Sequence, residues 1–192
     1  MIKLIFATNN QHKVDEMRSI VTGFDIITLK EAGILIDIPE PYNTLEANAR
    51  NKSAVIHHLT QMDCFSEDTG LEVKSLNGEP GVKSARYAGE SSSADDNINK
   101  LLAELGEQTN RQAQFRTILS LILNESEHTF EGICKGTIIA YKRGEYGFGY
   151  DAIFVPDGSN KTFAEMELVE KNQFSHRKKA LKKMVEFLIS IN

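Results

Sequence analysis

Two long β-type runs in the second half of the chain limit its possible folds most strongly. Residues 112–123 and 128–141 each read as one continuous strand, and Asn124-Glu125-Ser126-Glu127 joins them as a hairpin signal. Ordinary strands run to about 5–6 residues, so a hairpin this long extends beyond one lobe of the fold. Gly132 and Gly136 read as bulge or bend positions in its second arm. The other strand signals are short: the apolar run 2–7, residues 24–29, and residues 152–155 ending at Pro156. Helical spacing appears in Val14, Met17, Ile20 and Val21, and in Ile98, Leu101, Leu102 and Leu105. Asn43-x-x-Glu46 predicts the start of a helix running through Lys52 to about residue 58, and Thr162-x-x-Glu165 caps a short one. A last helix opens at residues 170–177 and buries Ala180, Leu181, Met184, Val185, Phe187 and Leu188.

The chain has 192 residues, enough for one large or two-lobed domain with a sizeable core. Its 41% hydrophobic and 26% charged residues are those of an ordinary soluble protein. A net charge of −5 argues against a sequence-independent nucleic-acid binder, which needs a basic surface. It leaves room for a small anionic substrate in a local cationic pocket. Cys64 and Cys134 lie far apart in apolar runs, so buried free thiols and a cytoplasmic location are expected. The first apolar stretch is too short for a signal or membrane segment. No repeat or linker divides the chain, and the four prolines lie in loops.

Three stretches carry chemistry-bearing residues. In the first, Glu67 and Asp68 follow a short apolar run and precede Gly70, at a position that reads as a strand end or break. Neighbours on an extended chain point to opposite faces, so at most one of them faces a given pocket. Such a pair suits a divalent metal or an activated water, and equally a solvated turn. The second stretch is Thr8-Asn9-Asn10-Gln11-His12-Lys13, between the first strand and the first helix. A strand–loop–helix turn offers free backbone N–H groups and a helix N-terminus to phosphate, with Lys13 adding charge. A well-capped helix with a surface lysine reads the same way. Lys52 and Glu40 are by themselves ordinary helix and loop charges. Arg86 suits a structural ion pair or an anion clamp.

The third stretch is Tyr146-Gly147-Phe148-Gly149-Tyr150-Asp151, where flanking glycines can expose the Phe148 ring for base stacking or fold it into the core. Lys171, His176 and Arg177 then cluster with Lys178 and Lys179 where a helix is expected to begin, against the helix dipole.

In order along the chain stand Thr8-x-Asn10-x-x-Lys13-x-x-Glu16, Asn48-Ala49-x-x-Lys52, Glu67-Asp68-Thr69-Gly70-Leu71, Gly78-x-Pro80-Gly81-x-x-Ser84-Ala85-Arg86-Tyr87, Phe148-Gly149-Tyr150-Asp151 and Ser175-His176-Arg177. With these motifs the chain resembles the inosine triphosphate pyrophosphatase family from residue 2 to about residue 188. The resemblance implies an α/β fold: an elongated mixed β-sheet flanked by helices, one two-lobed domain with a nucleotide cleft between its lobes. It implies that Thr8, Asn9, Asn10, Lys13, Lys52 and Thr69 bind the triphosphate. It further implies that Glu40, Asp68 and Glu67 bind Mg²⁺, and that Asp68 accepts the proton of the attacking water. Phe148 is to stack on the base, with Gly149, Tyr150, Asp151, Lys171, His176 and Arg177 around it. Members are usually homodimers. The loop at residues 39–43 departs from the Gly-rich form common in relatives, which bears on the assignment of Glu40.

The expected reaction is Mg²⁺-dependent hydrolysis of inosine and xanthosine triphosphates to monophosphate and pyrophosphate. Donor-only side chains such as Lys171 and Arg177 satisfy a 6-oxo group and leave the 6-amino group of adenine unpaired. Two alternatives stand beside this reading. One is a Maf-like pyrophosphatase acting on modified or pyrimidine nucleotides, in which a Ser175-His176-Arg177 element is not expected. The other is a non-catalytic nucleotide-binding protein. Neither a nucleic acid nor a membrane is expected as a partner.

Overall fold

The structure, a computed structural model, describes residues 3–21 and 23–191. The predicted first strand includes residue 2, which lies outside them. The described residues form seven strands and five α-helices: β1 (Lys3–Phe6), α1 (Gln11–Ile20), β2 (Asp25–Thr28), α2 (Leu45–Thr60), β3 (Cys64–Val73), β4 (Pro80–Gly81), α3 (Ala94–Leu105), β5 (Gln112–Leu123), β6 (Ser126–Ile138), β7 (Phe154–Pro156), α4 (Leu168–Phe174) and α5 (His176–Ser190). The strands make one mixed sheet in the order β2-β1-β3-β5-β6-β7, with β4 paired to β3. β1 runs parallel to β2 and β3, while β4 and β7 pair antiparallel to β3 and β6. The α/β mixed sheet expected from the sequence is therefore present. Among the described residues no helix is long and apolar enough to cross a membrane.

The chain divides into two compact units: Met1–Asp68, Thr117–Gly132 and Arg177–Asn192 form one, and Thr69–Arg116 with Ile133–His176 form the other. Strands β3, β5 and β6 contribute residues to both. The first unit is layered because β1 is apolar on both faces, as a parallel strand covered on both sides must be. Leu4 and Phe6 join Val14, Met17, Ala180, Leu181, Met184 and Leu188 under α1 and α5. Ile5 and Ala7 point the other way, to Ile56 of α2 and to Leu29, Cys64 and Ile122. Phe6 stacks on Phe65 of β3 with ring centroids 4.5 Å apart. The second unit has its own core, in which Ile98, Leu101 and Leu105 of α3 pack with Leu71, Val73, Phe115, Cys134, Phe154 and Phe163. Cys64 and Cys134 are both buried free thiols, and burial above all pushes the Cys64 thiol up to about 12.

Several elements differ from their sequence expectations. Glu67 and Asp68 lie within the ten-residue strand β3 rather than at a strand end. Five buried residues precede Thr69, so the hydrophobic alternation that marks a half-exposed strand is missing there. Gly70 does make room for a close neighbour, which is the Gly81 backbone of β4. The hairpin turns on Asn124 and Glu125 alone, both at positive φ (47° and 65°), the signature of a two-residue primed turn. The N-cap of α2 is Thr44, whose side chain accepts from Ala47 N–H; the signal read at Asn43 lies one residue early. The basic stretch does not open one helix. The chain breaks at Ser175, so Lys171 falls in the last turn of α4, where a cation suits the helix dipole.

β2 is anchored by an acid at its C-terminal end. Glu31 accepts from Arg18 Nη2 of α1 at 2.7 Å, from Thr28 N–H at 2.8 Å and from Thr28 Oγ1 at 3.0 Å. The Arg18 bond, followed by those from Thr28, lowers the Glu31 carboxyl from 4.5 to about 2. A lowered folded-state pKa means stability that is present above the unfolded value and lost as pH falls through the folded one. Acid unfolding of the wild type should therefore carry a component between pH 4.5 and about 2 that Glu31→Gln lacks. Urea denaturation at pH 7 and pH 3 should show the variant less stable at pH 7 and the gap narrowing at pH 3.

Candidate active site

The sequence-predicted site residues fall into two groups, one in each unit. In the first unit the chain leaves β1 through half-buried Thr8, whose Oγ1 accepts from Asn10 N–H at 3.2 Å. Asn10 caps α1 by accepting from Lys13 N–H at 3.3 Å. Exposed Asn9 donates to the Ile36 carbonyl at 3.1 Å, tying this turn to the loop beyond β2. The first turn of α1 holds no acid, which keeps its N-terminus favourable to an anion. A cavity of about 580 Å³ opens beside Thr8 and Asn9, lined also by Val14, Arg18, Lys30 and Ile34.

Behind that turn lies a buried charge network. Arg177, 1% exposed at the start of α5, donates from Nε to Glu67 Oε2 at 2.6 Å and from Nη2 to Glu67 Oε1 at 2.7 Å. Its Nη1 donates to Glu16 of α1. Lys13 Nζ lies 3.3 Å from Glu67 Oε1. The basic helix start that conflicts with the dipole is thus explained for Arg177, which two buried acids neutralise, while Lys178 and Lys179 are exposed. The Arg177 guanidinium is held above its usual range because Glu67 and Glu16 outweigh the opposing effect of burial. Burial lowers the Lys13 ammonium, with Glu67 pulling the other way.

Asp68 points into a second cluster. Lys52, in the buried face of α2, donates to Asp68 Oδ1 at 3.1 Å and to Glu40 in the loop before α2. Burial lowers the Lys52 ammonium, but Asp68 and Glu40 together leave it raised. Burial raises Asp68, against the pull of Lys52. The pleat of β3 separates the two acids as expected: Glu67 serves Arg177 and Lys13, whereas Asp68 faces Lys52. Asp68 Oδ2 is buried without a hydrogen-bond partner, an arrangement that costs roughly 1–3 kcal/mol unless something else satisfies it.

Two carboxylates, one with a buried open oxygen, form a donor set that fits a hard divalent cation. Among the described residues no group of three or more His, Cys, Asp or Glu side chains is placed to hold a metal. Both oxygens of Glu67 are engaged by Arg177.

The second unit holds the aromatic group. Asp151 is buried, and its Oδ2 accepts from Phe148 N–H at 3.0 Å and from Lys171 Nζ at 2.7 Å. Gly147 sits at φ +73°, and a Cβ there would collide with the Asp151 carboxylate. Lys171 Nζ lies 5.2 Å from the centroid of the half-buried Phe148 ring and 5.3 Å from that of Phe163. Tyr150 belongs to the core, and its hydroxyl donates to the Ser84 carbonyl at 2.9 Å. His176 is buried and stacks on Phe115, centroids 4.8 Å apart. Gly149 is half-buried in the same turn, and Thr69 is half-buried in β3 directly after Asp68. Arg86 pairs with Glu90 at 3.6 Å.

Sequence reasoning gave no role to Glu16. Its signal was an acid in the apolar stripe of α1, three residues after Lys13 and beside Val14 and Met17, where a charge has to find a buried partner.

Comparison with known proteins agrees with this arrangement of motifs. The Ham1 family profile matches residues 4–187, and the chain belongs to that family. A Flavobacterium psychrophilum protein named dITP/XTP pyrophosphatase is 48% identical over 187 residues, covering 97% of this chain and 98% of the relative. A Porphyromonas gingivalis protein of the same name is 48% identical over 191 residues, covering 98% of each. The solved structure of the Staphylococcus aureus Ham1 protein matches with a TM-score of 0.90 at 38% identity, over 99% of this chain and 100% of that one. A HAM1 protein from Coxiella burnetii matches at 0.91 and 32% identity with the same coverage.

Removing Glu16 takes away the carboxylate at the buried Arg177 Nη1 while Glu67 still holds Nε and Nη2, a loss of about 1–3 kcal/mol. Glu16→Ala should lower stability in urea denaturation by an amount in that range. Exposed Glu186→Ala, whose pair with Lys182 spans 3.7 Å, should change it by less than about 1 kcal/mol.

Proposed function

We propose that this protein is a nucleoside triphosphate pyrophosphatase, a hydrolase that cleaves inosine and xanthosine (deoxy)nucleoside triphosphates to the monophosphate and pyrophosphate. Membership of the Ham1 family and near-full-length identity to proteins named dITP/XTP pyrophosphatase support the reaction class. The observation that carries the chemistry is the Lys52–Asp68–Glu40 cluster with its open Asp68 oxygen. A Maf-like or non-catalytic reading does not account for that cluster together with the intact family profile.

In this reading Asp68 and Glu40 would hold Mg²⁺, while Glu67 fixes Arg177 and Lys13. The bound ion supplies neutralisation of charge on the phosphate oxygens. Asp68 takes a proton from the water that attacks the phosphorus next to the nucleoside. The new P–O bond forms at the α-phosphorus as its bond to the α–β bridging oxygen breaks, and pyrophosphate leaves carrying that oxygen. The N-terminus of α1 with Thr8, Asn9, Asn10 and Lys13, together with Lys52 and Thr69, holds the phosphates.

The base stacks on Phe148, in the turn that Gly149 and Asp151 shape. Lys171, fixed by Asp151, can only donate, which suits the 6-oxo group of hypoxanthine or xanthine. Tyr150 and His176 support this wall from the core, and Arg177 contributes by ordering Glu67. An unpaired 6-amino donor costs roughly 1–3 kcal/mol, so ATP is disfavoured by about tenfold or more. The family resemblance extends the reading to a cytoplasmic homodimer.

A panel of ITP, dITP, XTP, GTP, ATP, dTTP and UTP, with and without Mg²⁺, tests this by pyrophosphate release. The expected result is Mg²⁺-dependent release from ITP, dITP and XTP, with ATP and the pyrimidines poor. Equal cleavage of ATP would sink the donor argument, and preference for dTTP or UTP would favour the Maf-like alternative. Asp68→Asn should abolish turnover while leaving nucleotide binding measurable by calorimetry; retained turnover removes Asp68 as the base. Lys171→Met should narrow the ITP/ATP ratio of kcat/KM by about tenfold or more.

A further inference from the structure

We infer that Asn48 is a positioning residue for Glu40, setting its carboxylate where a divalent cation is bound. The inference rests on the reading that Glu40 and Asp68 hold that cation.

Glu40 belongs to a loop with no secondary structure, between β2 and α2. A loop acid is a poor metal ligand unless its backbone is fixed, because ordering it on binding subtracts from affinity. Here the fixing is visible. Asn48 is fully buried, and its amide makes two bonds to a single residue: Oδ1 accepts from Tyr42 N–H at 2.9 Å and Nδ2 donates to the Tyr42 carbonyl at 3.0 Å. On the other side of Glu40, Asn51 Nδ2 donates to the Pro39 carbonyl at 3.0 Å. Pro39 and Pro41 flank Glu40 in sequence. They fix their own φ angles, and each biases the residue before it to an extended backbone. The loop is therefore stiff locally and clamped at both ends.

The clamps come from the helix face that carries the cluster. Asn48, Asn51 and Lys52 are spaced i, i+3, i+4 on α2, so they share one side of it. Lys52 reaches both Glu40 and Asp68 from that side. The separation of Glu40 from Asp68 is thus set by α2, through Asn48 at the backbone and Lys52 at the side chains. This also gives a role to the first residue of Asn48-Ala49-x-x-Lys52. An Asp at position 48 retains the acceptor for Tyr42 N–H and loses the donor to the Tyr42 carbonyl, so it tests the clamp with little change of volume.

The experiment uses the full chain, with Mn²⁺ as the probe ion. Binding to nucleotide-free protein is followed by the electron paramagnetic resonance of free Mn²⁺, and folding by urea denaturation. Loss of a residue that orients a metal ligand weakens metal binding by about 10–100-fold. Asn48→Asp and Asn48→Ala should each weaken Mn²⁺ binding in that range, and Asn51→Ala by a smaller factor in the same direction. Once Glu40→Gln has removed the ligand, adding Asn48→Ala should weaken binding by no more than about twofold further, because both changes act through one group. A purely structural Asn48 would lower the denaturation midpoint and leave Mn²⁺ affinity of the folded protein at the wild-type value. That result overturns the inference, as does a full additional loss on top of Glu40→Gln. If Asn48→Ala fails to fold, Asn48→Asp and Asn51→Ala decide, and wild-type affinity in both overturns it. Absence of Mn²⁺ binding in the unmodified chain is a distinguishable failure, which removes the proposed metal site and the inference with it.

Discussion

The ion pairs of the Arg177 guanidinium with Glu67 and Glu16 are the interaction on which the buried charges of the first unit depend. It joins the start of α5, the middle of β3 and the inner face of α1, and all three side chains are buried. A fully desolvated arginine persists only if its donors meet acceptors, and two carboxylates meet that need. The acids are fixed in return. Glu67 is held on both oxygens and presents one of them to Lys13, so the cation at the phosphate-type turn is set by charge from behind. Replacing the network by apolar side chains would be possible for stability alone. What the network does fix is where Glu67, Glu16 and Lys13 sit around Arg177.

Adjacent residues of β3 feed separate electrostatic clusters because a strand alternates its side chains. Glu67 is saturated by cations, whereas Asp68 retains an open oxygen beside Lys52 and Glu40. The two acids thus have different partners, although both are buried and they are neighbours in sequence. In the second unit Asp151 plays the organising part, holding the Phe148 backbone and the Lys171 ammonium with a single oxygen. In both units a buried acid fixes a cation, and a buried carboxylate–ammonium pair keeps its geometry better than a solvated one.

Much of this was legible in the chain. The apolar stripe of α3 and the full extent of β5 follow from periodicity. The cap residue of α1 follows from side-chain chemistry at its N-terminus, and the family follows from six ordered motifs. The less legible parts share a cause. Glu67 and Asp68 suggested a strand end because local rules place acids at surfaces, yet β3 runs straight through them. Lys52 counted as an ordinary helix charge because its partners lie 12 and 16 residues away. The break at Ser175 was hidden because Lys171 and Arg177 look like one basic cluster, while one ends α4 and the other begins α5.

The sequence by itself determined the elements whose causes are local: the apolar runs, the helix stripes, the α1 cap and the turn glycine at position 147. Those rest on interactions within a few residues, and such interactions leave a pattern in the chain. Only the tertiary structure decided which charges are buried and whom they serve. Glu16 and Arg177 are separated by 161 positions, and Glu67 and Arg177 by 110. No period or spacing encodes such a pair, because a buried ion pair is fixed by mutual desolvation and Coulomb attraction once packing brings its partners together.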